Sequence, residues 1–254
     1  MTQFHPVETI SPGSSPDALT DVILVCDHAR NAVPPEIGSL GLPDYEMGRH
    51  IAFDIGARAV TLGLAARLGA GAVLSTYSRL VIDPNRGEDD PTLIMRLYDG
   101  TIIPANRDVA LEERERRIVA YHRPYHDCVD DAITAVIEQD RTPVLISIHS
   151  FTPALKGRPV RPWHVGVLWD RDERLVRPLL DVLGHEQGLV VSDNEPYSGQ
   201  LRGDSMWRHG TARGLPHALI EIRNDLISDR EGQAGWAARL AGAVPEALTG
   251  MLGA

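Results

Sequence analysis

The chain has 254 residues, of which 43% are hydrophobic, and it carries a formal net charge of −10. The negative charge argues against a general nucleic-acid binder, because phosphate binding needs a basic surface. No apolar stretch reaches the roughly eighteen residues of a membrane-spanning helix, so a membrane protein of that type is excluded. We expect one domain over residues 1–254, with a polar lead-in over 1–20. That lead-in has no signal-peptide features, which favours a cytoplasmic protein.

Apolar runs bounded by turn residues predict seven strands, over 22–26, 72–77, 80–82, 144–148, 165–168, 189–191 and 218–222. Helical periodicity predicts helices over about 45–68 and 111–139, one that ends at Leu183, and one over about 231–248. Pro124 is expected to kink or break the second helix. Residues 88–108 are rich in Pro, Asp and Gly and are interpreted as an irregular surface segment.

Strands that alternate with helices predict an α/β fold, a mixed and mostly parallel sheet between helices. Three of the predicted strands end in residues that carry chemistry. His28 follows the first strand, His149 follows the strand over 144–148, and Glu221 lies inside the last strand. Ligands of open parallel sheets bind beyond the carboxyl ends of the strands, so we expect these three side chains to converge.

Two histidines need a third ligand to hold zinc, and a carboxylate is the usual partner. Asp54 is the candidate, because the predicted helix over 45–68 places His50, Asp54 and Arg58 at i, i+4 spacing on one polar stripe. His50 competes with Asp54 for the same role. The expected cofactor is Zn²⁺, with another divalent metal as the alternative.

Glu221 is a carboxylate inside the apolar run over 219–222, where burial is costly unless the group is paired or its pKa rises. One interpretation is a structural ion pair with Arg223. The other is a general base that takes a proton from water and passes it to a leaving nitrogen.

The chain resembles the N-formylglutamate amidohydrolase family over about residues 22–225. The segments that carry the resemblance are CDHARNAVP, HIAFDIGA, YSRLVIDPNR, YHRPYH, ISIHSF, SDNEPYSG and ALIEIRNDL. The order of the candidate residues is also similar to that of zinc amidases of the cell wall and of zinc carboxypeptidases. The resemblance implies a phosphorylase/hydrolase-like fold, zinc on His28, Asp54 and His149, and Glu221 as the acid–base residue. Asp54 stands where those relatives have a glutamate.

The family's reaction is hydrolysis of N-formyl-L-glutamate to formate and glutamate, at the end of one histidine-degradation route. Its substrate is a small N-acyl amino acid with two carboxylates, so the site should contain fixed cations. The candidate substrate-binding residues are Arg79, Arg86, Arg223, Asn85 and Asn31. His209 is a candidate to polarise the scissile carbonyl or to stabilise the oxyanion.

Other functions remain open at this point. The ligand pattern also fits a zinc peptidase or cell-wall amidase, or a deacylase of another N-acyl amino acid, and a non-catalytic binding protein could share the fold. A cysteine hydrolase that uses Cys26 and His28 is disfavoured because no third orienting group is evident. Cys26 and Cys128 have no paired spacing and are expected to be reduced thiols. His122 and His126, at i, i+4 on the charged helix, have the spacing of a second metal pair, but they follow no strand, and a packed or exposed helical face is the favoured interpretation. The sequence does not address the oligomeric state.

Overall fold

A seven-stranded sheet forms the centre of the protein in the computed structural model, which describes residues 4–253. In chain order the strands are β1 (Val7–Ile10), β2 (Val22–Cys26), β3 (Gly71–Ser75), β4 (Leu97–Tyr98), β5 (Thr101–Ile102), β6 (Val144–Phe151), β7 (Val165–Leu168), β8 (Val191–Asp193) and β9 (His217–Arg223). β4 and β5 form a separate hairpin. The other strands have the spatial order β1-β3-β2-β6-β9-β7-β8.

The four central strands β3, β2, β6 and β9 run parallel to one another. β1 pairs antiparallel with β3, and β7 pairs antiparallel with β9 while lying parallel to β8. The predicted fold class, a single-domain α/β fold with a mixed and mostly parallel sheet, is therefore confirmed.

The α-helices are α1 (Asp44–Met47), α2 (Ala57–Leu68), α3 (Leu111–Arg117), α4 (Arg123–Ile137), α5 (Val176–Gly184), α6 (Ser205–His209) and α7 (Arg230–Leu252). Helices α2, α5 and α7 share an apolar core with one face of the sheet. Helix α4, together with Met206 of α6, packs on the opposite face. Because both faces are covered, β2 and β6 are buried along their whole length, which explains their continuous apolar runs.

The predicted helix over 45–68 is wrong in its first half. Helix α1 ends at Met47, the chain turns through 48–56, and α2 begins only at Ala57. His50, Asp54 and Arg58 therefore do not share one helical stripe. A tertiary contact overrides the local pattern here, since the backbone N–H of Asp54 donates to the carbonyl of His28 at 2.9 Å.

Residues 80–82 form a buried turn instead of the predicted strand. They lie in a separate apolar cluster with Leu40, Ile51, Leu93 and Ile118. A short apolar run has the same sequence pattern in a strand as in any fully buried segment, which explains the error. The structure also forms β1 within the lead-in, where no strand was predicted.

The charged helix is interrupted near the expected position. A π-helical turn over Ile118–His122 separates α3 from α4, and Pro124 lies in the first turn of α4. Proline is tolerated there because its missing N–H is not needed in a first turn. Within residues 4–253, no helix combines the length and the apolar character needed to cross a membrane.

Gly56 fixes the turn between Asp54 and α2. Its φ is +81°, and a Cβ at this position would lie 2.1 Å from the carbonyl oxygen of Ile227. An alanine in this left-handed conformation is strained by its backbone alone. We expect the clash with Ile227 to lower the free energy of unfolding of Gly56→Ala by a further amount of about 2 kcal/mol or more. Gly38→Ala is the control, because Gly38 has φ +78° but no atom within 4 Å of the added Cβ. Urea denaturation measures both, and equal losses would contradict the steric explanation.

Candidate active site

The parallel strands β6 and β9 bring His149 and Glu221 together. They are direct register partners on neighbouring strands, so their side chains point to the same face of the sheet. Leu145 and Leu219 belong to the same alternation and pack beneath α4, which identifies this face. His28 lies two residues beyond the end of β2, on the other side of β6.

Asp54 places one carboxylate oxygen, Oδ2, opposite both histidines. Oδ2 lies 3.3 Å from Nδ1 of His28 and 2.9 Å from Nδ1 of His149. The backbone N–H of Ser150 donates to the same oxygen at 3.2 Å. The three side chains are buried, and one ligand atom from each lies within 4.8 Å of the others, so this group could hold a metal ion.

The second ring nitrogen of each histidine faces another carboxylate. Nε2 of His28 is 2.7 Å from Asp83 Oδ1, and Nε2 of His149 is 2.8 Å from Asp27 Oδ2. An ionised carboxylate only accepts hydrogen bonds, so each Nε2 carries the hydrogen. In the neutral form of each ring, Nδ1 is then a bare lone pair that faces Asp54.

Asp27 is kept ionised by its hydrogen-bond donors. Burial opposes ionisation, but the hydrogen bond and charge of His149 outweigh it and hold the pKa of Asp27 below its usual range. Asp27 also accepts hydrogen bonds from Tyr125 at 2.9 Å, from Ser147 at 3.1 Å and from Ser205. With these four donors the carboxylate is fixed in one orientation, and it orients His149 in turn.

Asp83 is also kept ionised, and it orients His28 as Asp27 orients His149. Its pKa lies well below the usual value because the charge of Arg79 outweighs the opposing effect of burial. Arg79 donates twice to Oδ2, at 3.1 and 2.7 Å, while the backbone N–H of Asn85 donates to Oδ1 at 2.9 Å.

Two lone pairs and a carboxylate oxygen therefore face one another in a buried space, and they repel unless a cation lies between them. Without a metal a proton supplies this charge: burial opposes protonation of His149, but its hydrogen bonds to Asp27 and Asp54 raise its pKa well above the usual value. Imidazole nitrogen and carboxylate oxygen are ligands that zinc prefers. Histidine ligands of metals also commonly donate their other N–H to a carboxylate. The residues present thus fit a divalent cation.

Glu221 lies beside this group and has no counter-ion among residues 4–253. Burial raises the pKa of its carboxyl to about 7. Its Oε2 atom is buried and has no hydrogen-bond partner among residues 4–253. The neighbouring strand β7 presents Gly166 at the register position of Glu221 and adds no side chain there. A carboxyl group that titrates near neutral pH is suited to both accept and donate a proton.

A cavity of about 350 Å³ opens onto these residues. Its wall includes His28, Asp54, His149 and Glu221, and Arg79, Asn85 and Arg86 line it as well. The cavity thus brings together eight of the residues that the sequence analysis singled out, namely His28, His50, Asp54, Arg79, Asn85, Arg86, His149 and Glu221.

Arg79 and Arg86 differ in whether their guanidinium groups are already paired with carboxylates. Arg79 is bound to Asp83, lies 3.6 Å from Asp54 Oδ1, and its guanidinium stacks on Tyr98 at 5.4 Å. Arg86 donates only to the carbonyl of Asn85 at 2.7 Å and to the hydroxyl of Thr92 at 3.2 Å. Within the described chain Arg86 forms no ion pair, so its charge remains for an anion in the cavity.

The sequence profile of the N-formylglutamate amidohydrolase family matches residues 20–228. The chain belongs to this family. It is a hydrolase that cleaves amide bonds. Gene product Atu2144 from Agrobacterium tumefaciens is 34% identical and superimposes with a TM-score of 0.90, over 97% of this chain and 96% of that chain. N-formylglutamate amidohydrolase from Ralstonia eutropha JMP134 is 24% identical with a TM-score of 0.73, over 98% and 99% of the two chains. A comparison with curated proteins gave no match.

His50, the alternative third ligand, lines the cavity of this amidohydrolase but does not face both histidines. Its Nε2 lies 3.4 Å from Asp99 Oδ2, and its ring contacts Tyr98 edge-on. The third position between His28 and His149 is taken by Asp54 instead.

His209 lies outside the cavity. Its Nδ1 is 3.1 Å from Asp130 Oδ1 and its Nε2 is 2.8 Å from Nδ1 of His126, so both ring nitrogens are already bonded. The structure does not bring this residue to the position of a scissile carbonyl. The sequence offered no sign of this, because both partners come from the distant helix α4.

Arg223 and Asn31 also lie away from the cavity lining. Arg223 pairs with Asp225 at 2.8 Å and donates to the carbonyls of Arg161 and Trp163, both at 3.3 Å. Arg223 does not pair with Glu221, the structural ion pair considered from the sequence. Asn31 is exposed and donates to the carbonyl of Met47 at 2.8 Å.

The cysteines are free thiols, as expected. Cys26 belongs to the apolar core that β2 shares with α2 and α7, on the face of the sheet opposite Glu221. Burial raises the pKa of its thiol. A buried thiol with a raised pKa is a poor nucleophile, which removes the Cys26–His28 alternative.

Three acidic residues at the site were missed. Asp27 and Asp83 stand inside the conspicuous segments CDHARNAVP and YSRLVIDPNR, and a search for carboxylates that orient the histidines would have selected them. Asp204, which also lines the cavity, caps α6 by accepting from the backbone N–H of Trp207 at 2.7 Å. Only its capping position before α6 signals it in the sequence.

Burial raises the pKa of Asp204 to about 7. A carboxyl whose pKa is higher in the folded than in the unfolded state stabilises the fold at low pH, and this contribution is lost as the pH rises towards 7. We expect Asp204→Asn, which retains an oxygen for the cap, to remove a slope of about 1.4 kcal/mol per pH unit from the unfolding free energy between about pH 4 and 7. Guanidinium denaturation of metal-free protein across this range measures the slope. Parallel curves for both proteins would contradict the assignment.

Proposed function

We propose that this protein hydrolyses N-formyl-L-glutamate to formate and L-glutamate in a reaction that depends on a divalent metal ion. Zinc is the metal we propose. The observation that carries the proposal is the buried convergence of His28, Asp54 and His149. Beside them lies Glu221, whose Oε2 atom has no hydrogen-bond partner in the described part of the chain. The family membership supports the same reaction.

Nδ1 of His28, Nδ1 of His149 and a carboxylate oxygen of Asp54 would hold the metal. When bound, such an ion lowers the pKa of a water molecule towards neutrality and polarises the formyl oxygen. Asp83 and Asp27 accept from Nε2 of each ring. In the neutral form of the rings this leaves both Nδ1 atoms free of hydrogen, which is the tautomer that metal binding requires.

Glu221 is the proposed acid–base residue. As a carboxylate it takes a proton from the attacking water, and as a carboxylic acid it gives that proton to the departing amine nitrogen. Burial raises its pKa to about 7, so the carboxylate is basic enough to accept the proton and acidic enough, once protonated, to release it. No hydrogen bond within residues 4–253 ties Oε2 to another group, so the carboxyl group is not committed to a structural partner through this atom.

Arg86 is the proposed anchor for a substrate carboxylate, because its charge is not paired within the described residues. Asn85 adds an amide group, whose oxygen is fixed by the backbone N–H of Ser205 at 3.0 Å. Arg79 has a different role in this scheme, since it neutralises Asp83 and holds it against His28. We place the reaction in the cytoplasm, at the end of one route of histidine degradation.

A second candidate substrate class is another N-acyl amino acid with one carboxylate. The observation that favours it is the pairing of Arg79 with Asp83, which leaves Arg86 as the arginine of the cavity that has no carboxylate partner among residues 4–253. A substrate with two carboxylates needs a second donor group, whereas a substrate with one does not.

Replacement of Glu221 separates proton transfer from metal binding. We expect Glu221→Gln to retain the metal and to lose about 10²- to 10⁴-fold in kcat, because a general acid–base residue contributes on that order. His149→Ala should lose both metal and turnover. His185→Ala, at an exposed position on the end of α5, is the control. Elemental analysis and formate release measure the two properties, and metal-replete Glu221→Gln with near-normal turnover would refute the general-base role.

The substrate is tested by formate release from N-formyl-L-glutamate, before and after treatment with a chelator and after zinc is restored. We expect activity to disappear with the metal and to return with it. N-formyl-L-glutamine and N-acetyl-L-glutamate, assayed in parallel by amine release, test the side-chain carboxylate and the acyl group. Turnover that survives complete metal removal would overturn the mechanism, and turnover of the other compounds alone would redirect the substrate.

A further inference from the structure

Three buried histidines lie behind the cavity wall and take no part in the chemistry described so far. His122 ends the π-helical turn, His126 lies one turn further along in α4, and His209 ends α6. Each is at most 1% exposed. The rings of His122 and His126 have centroids 4.5 Å apart, and those of His126 and His209 are 5.1 Å apart.

A single side-chain hydrogen bond within residues 4–253 fixes the tautomer of His122. Nε2 lies 2.9 Å from the carbonyl oxygen of Arg86, which only accepts, so Nε2 carries the hydrogen. Burial lowers the pKa of the ring, which keeps it neutral at neutral pH. His122 therefore donates one hydrogen bond to the backbone of Arg86, the residue whose side chain is the free cation of the cavity.

The other two histidines connect α4 to α6. The His209 ring donates from Nδ1 to Asp130, and its Nε2 then accepts from Nδ1 of His126 at 2.8 Å. This pair holds the end of α6 against α4. At the start of the same helix, the backbone N–H of Ser205 donates to Oδ1 of Asn85 at 3.0 Å.

The three histidines thus act on two adjacent residues of the cavity wall. His122 binds the carbonyl of Arg86 directly, while the His126–His209 pair holds the helix that binds the side chain of Asn85. A π-helical turn is rare and is frequently found at functional sites, and here its last residue is His122. We propose that this histidine cluster positions Arg86 and Asn85 for recognition of the substrate carboxylate, with His122 as the direct support of Arg86.

This inference rests on the proposed role of Arg86 as the carboxylate anchor. It assigns to His122 an effect on substrate binding and none on the chemical step. A lost hydrogen bond of this type corresponds to a roughly three- to tenfold change in an equilibrium. His122→Leu should raise KM for N-formyl-L-glutamate by that factor and leave kcat within about twofold. His122→Gln should restore KM, because its side-chain amide can donate to the same carbonyl.

A double-mutant cycle with Arg86→Gln tests whether His122 acts through Arg86. The second change should add nothing to KM once the charge of Arg86 is gone. His185→Leu, at an exposed position, is the matched control and should leave KM unchanged. Additive effects, or a lower melting temperature without a change in KM, would overturn the proposal. If His122→Leu does not fold, His122→Phe replaces it, since it keeps a ring without the donor.

Amide hydrogen exchange of residues 83–88 tests the positioning role of His122 without any measurement of turnover, so it is independent of the test of the proposed function. His122→Leu should speed exchange in this segment several-fold, whereas His122→Gln and His185→Leu should not. Unchanged exchange would overturn the positioning role even in an active enzyme. Wild-type protein that releases no formate would refute the proposed function, and the exchange data would still decide whether His122 fixes the segment.

Discussion

The site is organised around one carboxylate oxygen, Asp54 Oδ2, which faces Nδ1 of His28 and Nδ1 of His149. Both rings donate from Nε2 to other carboxylates, so their Nδ1 atoms cannot donate to Asp54 while the rings are neutral. Three electron-rich atoms in a buried space require a positive charge between them. The rest of the site supports this arrangement, because Asp27 and Asp83 fix the tautomers. Three further donors fix Asp27, and an arginine that donates twice fixes Asp83.

The protonation state of each buried carboxyl group in the site depends on its hydrogen-bond donors and neighbouring charges. Asp27, Asp54 and Asp83 have strong donors or cations and stay ionised. Glu221 is also buried but has no such partner between residues 4 and 253, so burial raises its pKa to about 7. One region of the protein thus contains carboxylates suited to hold a cation and a carboxyl suited to exchange a proton. The difference arises from neighbours supplied by strands and loops far apart in the sequence.

Much of this site follows from the sequence. Apolar runs identify β2, β6 and β9, and the geometry of parallel strands then brings His28, His149 and Glu221 to one edge. The position of Asp54 was obtained for the wrong reason, because the turn that carries it depends on contacts with His28 and Ile227 that no local pattern encodes. Asp27 and Asp83 were missed because each binds a histidine that is distant in the sequence. Asp27 is 122 positions from His149, and Asp83 is 55 positions from His28.

The convergence on Asp54 is tested most directly by X-ray diffraction from crystals of the zinc-loaded protein, measured on both sides of the zinc absorption edge. We expect one strong anomalous peak in contact with Nδ1 of His28, Nδ1 of His149 and a carboxylate oxygen of Asp54, with both Nε2 atoms still bonded to Asp83 and Asp27. A zinc-loaded crystal with no peak at this position, or with the histidines turned so that Nε2 faces Asp54, would contradict it.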